Sequence, residues 1–286
     1  MAIKIGIGLP ATIPGTSGKL ILDWTRAAEQ GPFSSFGIID RLVYPNYEPL
    51  ITLAAAAGIT SRIRLMTTVL LAPIHKTSIL AKQAASLDAL SNGRLTLGLG
   101  VGAREDDFLA ASAAFHDRGK RFDNQLEQMR HIWSGQPLSE QVGAIGPAPV
   151  QHGGPEVLLG GYSQAAFRRL ARWGDGFLSG GVAPEMAAQL FRSVEDVWQK
   201  AGRPGKPRLV ACIYYSLGPQ AAEQIENYIV NYYGQAGAQM AKSFPSSPEA
   251  IRSAVQGFSN SGADELILWP CIPHLDQIKR LSDIVG

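Results

Sequence analysis

Cysteine is nearly absent from this chain: Cys212 and Cys271 are the only two among 286 residues. They stand far apart and build no disulfide framework, which argues against a stapled secreted scaffold and makes the cytoplasm the expected compartment. Long hydrophobic runs are also missing. The longest apolar stretch, Leu50 to Ile59, is alanine-rich and far short of the roughly 18 residues of a membrane-crossing helix, so it reads as a packed helix and no membrane association is expected. From Met1 the chain goes straight into a strand-like pattern, so no signal peptide is expected. Charge is sparse and balanced, with 26 basic and 24 acidic residues, a net charge of +2 and no basic run. Nucleic acid is therefore not an expected partner. Histidines number five. Cys271 and His274 are three apart, but no second ligand pair lies at zinc-site spacing, and His75, His116, His131 and His152 are scattered, so no metal is expected. What remains is a chain with 45% hydrophobic residues, ordinary for a globular enzyme. Its length fits one barrel-sized domain, residues 1–286, without demanding a second.

Strand-like and helix-like segments alternate from end to end. Short β patterns over Ile3–Leu9, Phe36–Asp40, Arg64–Leu71, Arg94–Val101, Val157–Gly160, Gly176–Leu178, Arg208–Leu217 and Glu265–Trp269 are each followed by helical periodicity. Two helical stretches, Glu105–Ala114 and Arg121–Trp133, follow the fourth strand, and the Gly- and Pro-rich Gly135–Pro155 reads as a long surface loop. A repeated β-then-α order predicts a parallel sheet covered by helices, and eight units point to closure as a (β/α)8 TIM barrel, with an open doubly wound sheet as the alternative. Strand parity bears on the interior. Ile3, Ile5, Ile7 and Leu9 share one face of strand one and Leu95, Leu97, Leu99 and Val101 one face of strand four. Gly6, Gly8, Gly98, Gly100 and Gly102 then point inward, either to fit the barrel's interior layers or to clear space for a flat ring.

Several motifs suggest chemistry. Gly98-x-Gly100-x-x-Ala103 imitates a dinucleotide fingerprint, but no second strand ending in an acid follows about 20 residues on, so it is set aside. Gly161-Tyr162-Ser163-Gln164-Ala165 imitates a nucleophile elbow, with Asp175 or Asp264 and then His274 downstream in hydrolase order. Ala165 stands where the elbow has glycine, and no oxyanion loop appears near the third strand. The segment Gly160-Gly161-Tyr162-Ser163 has a second meaning. It ends a strand and begins a helix, so its backbone N–H groups form an anion site, or Ser163 simply caps the helix.

Asp40-Arg41-Leu42, Thr67-Thr68-Val69-Leu70-Leu71-Ala72-Pro73, Ala81-Lys82-Gln83 through Leu87-Asp88-Ala89-Leu90-Ser91, Gly93 through Gly102, Gly153-Gly154-Pro155 to Gly160-Gly161, and Gly174-Asp175-Gly176 occur in this order. Together they resemble the luciferase-like monooxygenases, over roughly the whole chain and most densely over residues 36–105. The resemblance implies a (β/α)8 barrel binding FMN, or alternatively the deazaflavin F420, usually as a homodimer. Oxygen-using members are fed reduced flavin by a partner reductase and act on small organic substrates. Residue by residue, it implies a non-proline cis peptide at Thr68–Val69 against the cofactor ring and Asp40 near the ring's polar edge. It also implies Gly100 and Gly102 beside the cofactor, and Gly160, Gly161, Tyr162 and Ser163 as the phosphate loop. One departure matters: many F420-using relatives carry Asp-His where this chain has Asp40-Arg41. Arginine stays charged and cannot exchange a proton, so Arg41 either stabilises an anionic reduced ring or forms a rim salt bridge. This tilts the reading towards FMN.

The expected function is thus a flavin-dependent oxidoreductase, by preference a reduced-FMN monooxygenase. F420-dependent hydride transfer, a non-catalytic flavin-binding subunit and a Ser163 hydrolase are the alternatives. Asp40, Arg41 and His75 are the catalytic candidates, with Arg104 beside them, placed by their position at strand ends alone.

Overall fold

The computed structural model describes residues 2–286. Eight parallel strands form the barrel: β1 (Lys4–Gly8), β2 (Ser35–Ile38), β3 (Arg64–Thr67, resuming at Leu70–Leu71), β4 (Leu95–Gly100), β5 (Glu156–Leu159), β6 (Gly176–Gly180), β7 (Arg208–Tyr215) and β8 (Glu265–Pro270). Each pairs in parallel with its sequence neighbour, and β8 returns to β1 with Lys4 opposite Glu265 and Ile7 opposite Leu268. The sheet therefore closes, which decides against the open doubly wound alternative.

Helices wrap the outside: α1 (Gly18–Gln30), α2 (Pro49–Ala57), α3 (Thr77–Leu90), α4 (Glu105–Ala110), α5 (Arg118–Trp133), α6 (Gln164–Trp173), α7 (Pro184–Lys200), α8 (Ala221–Tyr233), the short α9 (Ala238–Ala241), α10 (Pro248–Asn260) and α11 (Asp276–Val285). Proline at the first turn starts α2, α7 and α10, where its missing N–H costs nothing, and Ser17, Ser163 and Ser247 cap α1, α6 and α10. The apolar strand faces pack outward under these helices: Ile7, Leu97 and Leu99 share one core with Trp24, Leu80 and Phe122.

The glycines of the opposite parity do point inward. A Cβ on Gly6 would lie 2.9 Å from Ile267 Cγ1, and one on Gly37 would lie 2.9 Å from Ile267 Cγ2 and 3.2 Å from Thr68 Cγ2. Beneath them the N-terminal end of the barrel is closed by charge. Arg208 bridges Glu156 and Glu265, Glu265 also accepts from Ser35 at 2.6 Å, and Arg64 and Thr96 complete the cluster on Glu156. Glu265, the one buried ion of the cluster, keeps its charge there because Arg208 and Ser35 partner it.

Several boundaries differ from expectation. Strand three is broken between Thr67 and Leu70, which alternation in Arg64–Leu71 does not disclose. The helix after the fourth strand stops at Ala110, while the next begins at Arg118, three residues earlier than its apolar periodicity suggested. The segment 135–155 contains no helix or strand and is held down by the fully buried Asp88, whose carboxylate accepts from the N–H groups of Val150 (2.8 Å) and Gln151 (3.0 Å) and from the Gln151 side chain (2.6 Å).

Candidate active site at the mouth of the barrel

A cavity of about 420 Å³ opens at the C-terminal ends of the strands, within the roughly 300–1,000 Å³ typical of small-molecule sites. One wall comes from the break in β3, where the Thr68–Val69 peptide bond is cis. The Val69 side chain occupies the space that a side chain at the tip of β4 would need, and lies in contact distance of the residue after β5. A Cβ at Gly100 would lie 2.7 Å from Val69 Cγ2, and one at Gly160 3.4 Å from Val69 Cγ1. Further along the rim, Gly102 (φ +76°) and Gly161 (φ +129°) adopt backbone conformations that favour glycine, and a Cβ on Gly161 would meet Ala166 Cβ at 2.9 Å.

Gly160, Gly161 and Tyr162 line the cavity at the entry to α6. Tyr162 ties this segment to β6, its hydroxyl donating to the Gly180 carbonyl (2.8 Å) and accepting from the Gly180 N–H (3.1 Å). Ser163 does not line the cavity; its Oγ accepts from the Ala166 N–H at 3.2 Å as the helix cap. The first turn of α6 still directs its remaining N–H groups and its positive dipole end towards this edge.

The strand-two tip is more committed than its sequence suggests. Asp40 is buried and lines the cavity, with Oδ2 accepting from the Leu71 N–H at 2.9 Å. His75 lies behind it, outside the cavity lining, with Nε2 3.9 Å from the same oxygen. Of the two roles open to Arg41, the salt bridge is present. Its Nε donates to Asp107 Oδ2 at 2.8 Å and its guanidinium reaches Asp106 at 3.2 Å and the Val43 carbonyl at 3.1 Å. Asp107 is fully buried and also accepts from the N–H groups of Leu42 (3.0 Å) and Val43 (2.7 Å). Arg41 Nη1 is nevertheless buried without a partner, as are Thr68 Oγ1 and Trp269 Nε1, and all three residues line the cavity.

The remaining wall is aromatic, and sequence reasoning did not find it. Tyr214 from β7, Tyr232 and Tyr233 from the end of α8, and Trp269 from β8 come together here, with Arg104 reaching in from the start of α4. The Tyr214 ring lies 4.9 Å from Trp269, and the Tyr214 and Tyr233 hydroxyls are 3.0 Å apart. Burial pushes the Tyr214 phenol well above its ordinary value and raises those of Tyr232 and Tyr233. A Tyr doublet at a helix end was the available signal, but it does not say which face meets the barrel.

The hydrolase constellation is not assembled. Asp175 accepts from the Val157 N–H and pairs with Arg130, and Asp264 accepts from the Leu209 N–H, both at the opposite end of the strands from Ser163. His274 is exposed beside Asp276 at 3.6 Å, and Cys271 near it in sequence is buried.

A closed parallel barrel with a cavity over its strand tips, walled by glycine, an apolar bulge and aromatic rings, has the build of a small-molecule (β/α)8 enzyme. The chain belongs to the luciferase-like monooxygenase family, matching it over residues 3–269. It is 31% identical over 211 residues to an uncharacterized protein of Mycobacterium tuberculosis, covering 62% of this chain and 71% of that protein. The fold is shared with a monooxygenase from Streptomyces bottropensis (TM-score 0.79, 21% identity, 99% of this chain and 98% of that one). It is shared equally with an F420-dependent secondary alcohol dehydrogenase crystallised with an F420–acetone adduct (TM-score 0.81, 16% identity, 99% and 98%). Among the described residues no helix is long and apolar enough to cross a membrane.

Proposed function

We propose that this chain is a monooxygenase that uses reduced FMN to oxidise a small organic substrate. The observation that carries the reading is the cavity itself, which joins a narrow wall of Val69, Gly100 and Gly160 to a helix N-terminus at its rim. The residues fit a flat heteroaromatic cofactor with a phosphate: Val69 would lie against the ring, Asp40 and the unpartnered Thr68 Oγ1 and Trp269 Nε1 would offer it polar atoms, and Gly160, Gly161 and Tyr162, with the α6 N-terminus that Ser163 caps, would hold the phosphate. When bound, reduced FMN would supply the two electrons with which one atom of dioxygen enters the substrate and the other leaves as water. The chain's part is to bind, orient and keep water from the reacting atoms. Asp40 lines the cavity and His75 does not, so His75, 3.9 Å from the Asp40 carboxylate, would act on the ring edge only through Asp40.

FMN is preferred to F420 because, of the cations that follow the phosphate loop, Arg169 is already engaged and the exposed Arg168 and Arg172 are absent from the lining of the strand-tip cavity. Arg169 is buried against Asp123, at 2.7 Å, and Arg172 lies over Trp173 with Glu127 at 3.9 Å. F420-dependent hydride transfer is the second reading, favoured by the shared fold with the F420-dependent dehydrogenase. A separate reductase delivers the reduced flavin, a view supported by α4 and α5 standing where a dinucleotide-binding unit would need its second strand. A homodimer is supported by Ile51, Ile79 and Leu90, which are exposed on α2 and α3. Absorption titration of the purified protein with FMN and with F420 tests the reading. Saturable FMN binding with weak salt dependence is expected; F420 binding that falls steeply with salt, with no FMN binding, would replace it.

A further inference from the structure

The aromatic side of the cavity carries two guanidinium groups and lacks a free counter-charge. Arg41 is matched by Asp107 and Asp106, yet its Nη1 is buried and unpartnered. Arg104 is half-buried, donates to the Tyr232 carbonyl at 2.7 Å, and lies over the rings of Tyr232 (5.1 Å) and Tyr233 (5.9 Å). Among the described residues no carboxylate lies within ion-pair distance of Arg104. Two carboxylates line the cavity. Asp107 is consumed by Arg41 and two backbone N–H groups, and Asp40 is held by the Leu71 N–H. The phenols nearby are held neutral by burial and offer no negative charge.

A guanidinium clamped on two aromatic faces is oriented, partly stripped of water and short of an acceptor, the condition in which a charge-assisted, bidentate hydrogen bond is strongest. The rings beside it offer edges and faces to a flat apolar body. We infer that the substrate is a planar aromatic molecule bearing a carboxylate or similar anionic group, and that Arg104 is the residue that selects it. The inference rests on the oxidoreductase reading of this cavity and adds the class of substrate to it. Arg104 binds the anion, Tyr232 and Tyr233 hold Arg104 in place, and Trp269 and Tyr214 pack on the substrate ring.

The test uses calorimetric titration of the FMN-loaded protein with 2-naphthoate and with its neutral isostere 2-naphthamide. The wild-type protein is expected to prefer the carboxylate by about tenfold or more, with that preference shrinking as salt rises. Arg104→Gln is expected to lose the preference while keeping its affinity for 2-naphthamide and for FMN. Equal affinity for the two probes in the wild type would overturn the inference without needing any variant. So would an Arg104→Gln protein that binds naphthoate normally, or one that loses FMN or F420 in place of naphthoate. A protein that binds neither cofactor but still distinguishes the probes through Arg104 would sink the redox reading and leave the anion site standing.

Discussion

Arg41 and Asp107 are each nearly closed off from solvent, with side-chain exposures of 5% and 1%, so removing one partner leaves a buried charge uncompensated. Asp107→Ala should destabilise the protein by about 3–5 kcal/mol, read from urea unfolding, whereas the apolar pair Arg41→Met/Asp107→Leu should recover most of that loss. Equal destabilisation in the single and double variants would show that the pair is not the source. At the phosphate edge, Gly161→Leu combines an unfavourable φ with a close approach to Ala166, and should abolish FMN binding while leaving the circular dichroism spectrum unchanged. Retained affinity would remove this segment from the site. Sequence order brought Asp40, Arg41 and the Gly160–Ser163 loop into view because their residue types sit at strand tips. It gave no hint of Asp107, since Glu105-Asp106-Asp107 has the look of an acidic first turn in solvent, and the third of these acids is instead buried against Arg41 and the N–H groups of Leu42 and Val43.

Helix α6 is the element on which two readings of one motif part. Ser163 Oγ is occupied by the Ala166 N–H, and among the described residues no histidine hydrogen-bonds to it, His274 lying beside Asp276, so a serine-directed phosphonate should leave it unlabelled, and a stoichiometric adduct there would return the hydrolase. Ser163→Ala should cost about 1 kcal/mol of stability through the lost cap and weaken FMN binding in addition; a stability loss with no change in binding would reduce the residue to a cap. Strand parity was legible along β1 and β4, where glycine alternates with Ile or Leu and only one face can enter a narrow interior. The break in β3 was not, because Thr67, Thr68 and Val69 are all good strand formers and periodicity cannot report a peptide isomer; resemblance alone pointed to it. The aromatic wall was hidden for another reason. Tyr214, Tyr233 and Trp269 come from three elements, and closure alone makes them neighbours.

Burial raises the phenols of Tyr214, Tyr215, Tyr228, Tyr232 and Tyr233 and the thiols of Cys212 and Cys271. In the unfolded chain cysteine titrates near about 8.5 and tyrosine near about 10. Folded-state values above these mean that stability is complete below about pH 8.5 and is lost as pH rises towards the folded values, because the unfolded chain releases protons first. The urea midpoint should therefore hold steady from pH 7 to 8, decline by pH 9.5 and fall steeply by pH 11; a flat profile to pH 11 would mean that these groups ionise freely in the fold. The same molecule should sediment as a dimer, and Ile51→Lys with Leu90→Lys should convert it to a monomer with its cavity intact. An unchanged sedimentation profile would place any dimer contact elsewhere. A last consequence lies in where β8 sits. It fills the gap between β1 and β7, delivering Glu265 to the charged plug below and Trp269 to the mouth above. Without β8, strands β1 and β7 would each present an unpaired edge, open to the wrong neighbours. The strand that covers both edges is thus also the one that completes the wall of the cavity.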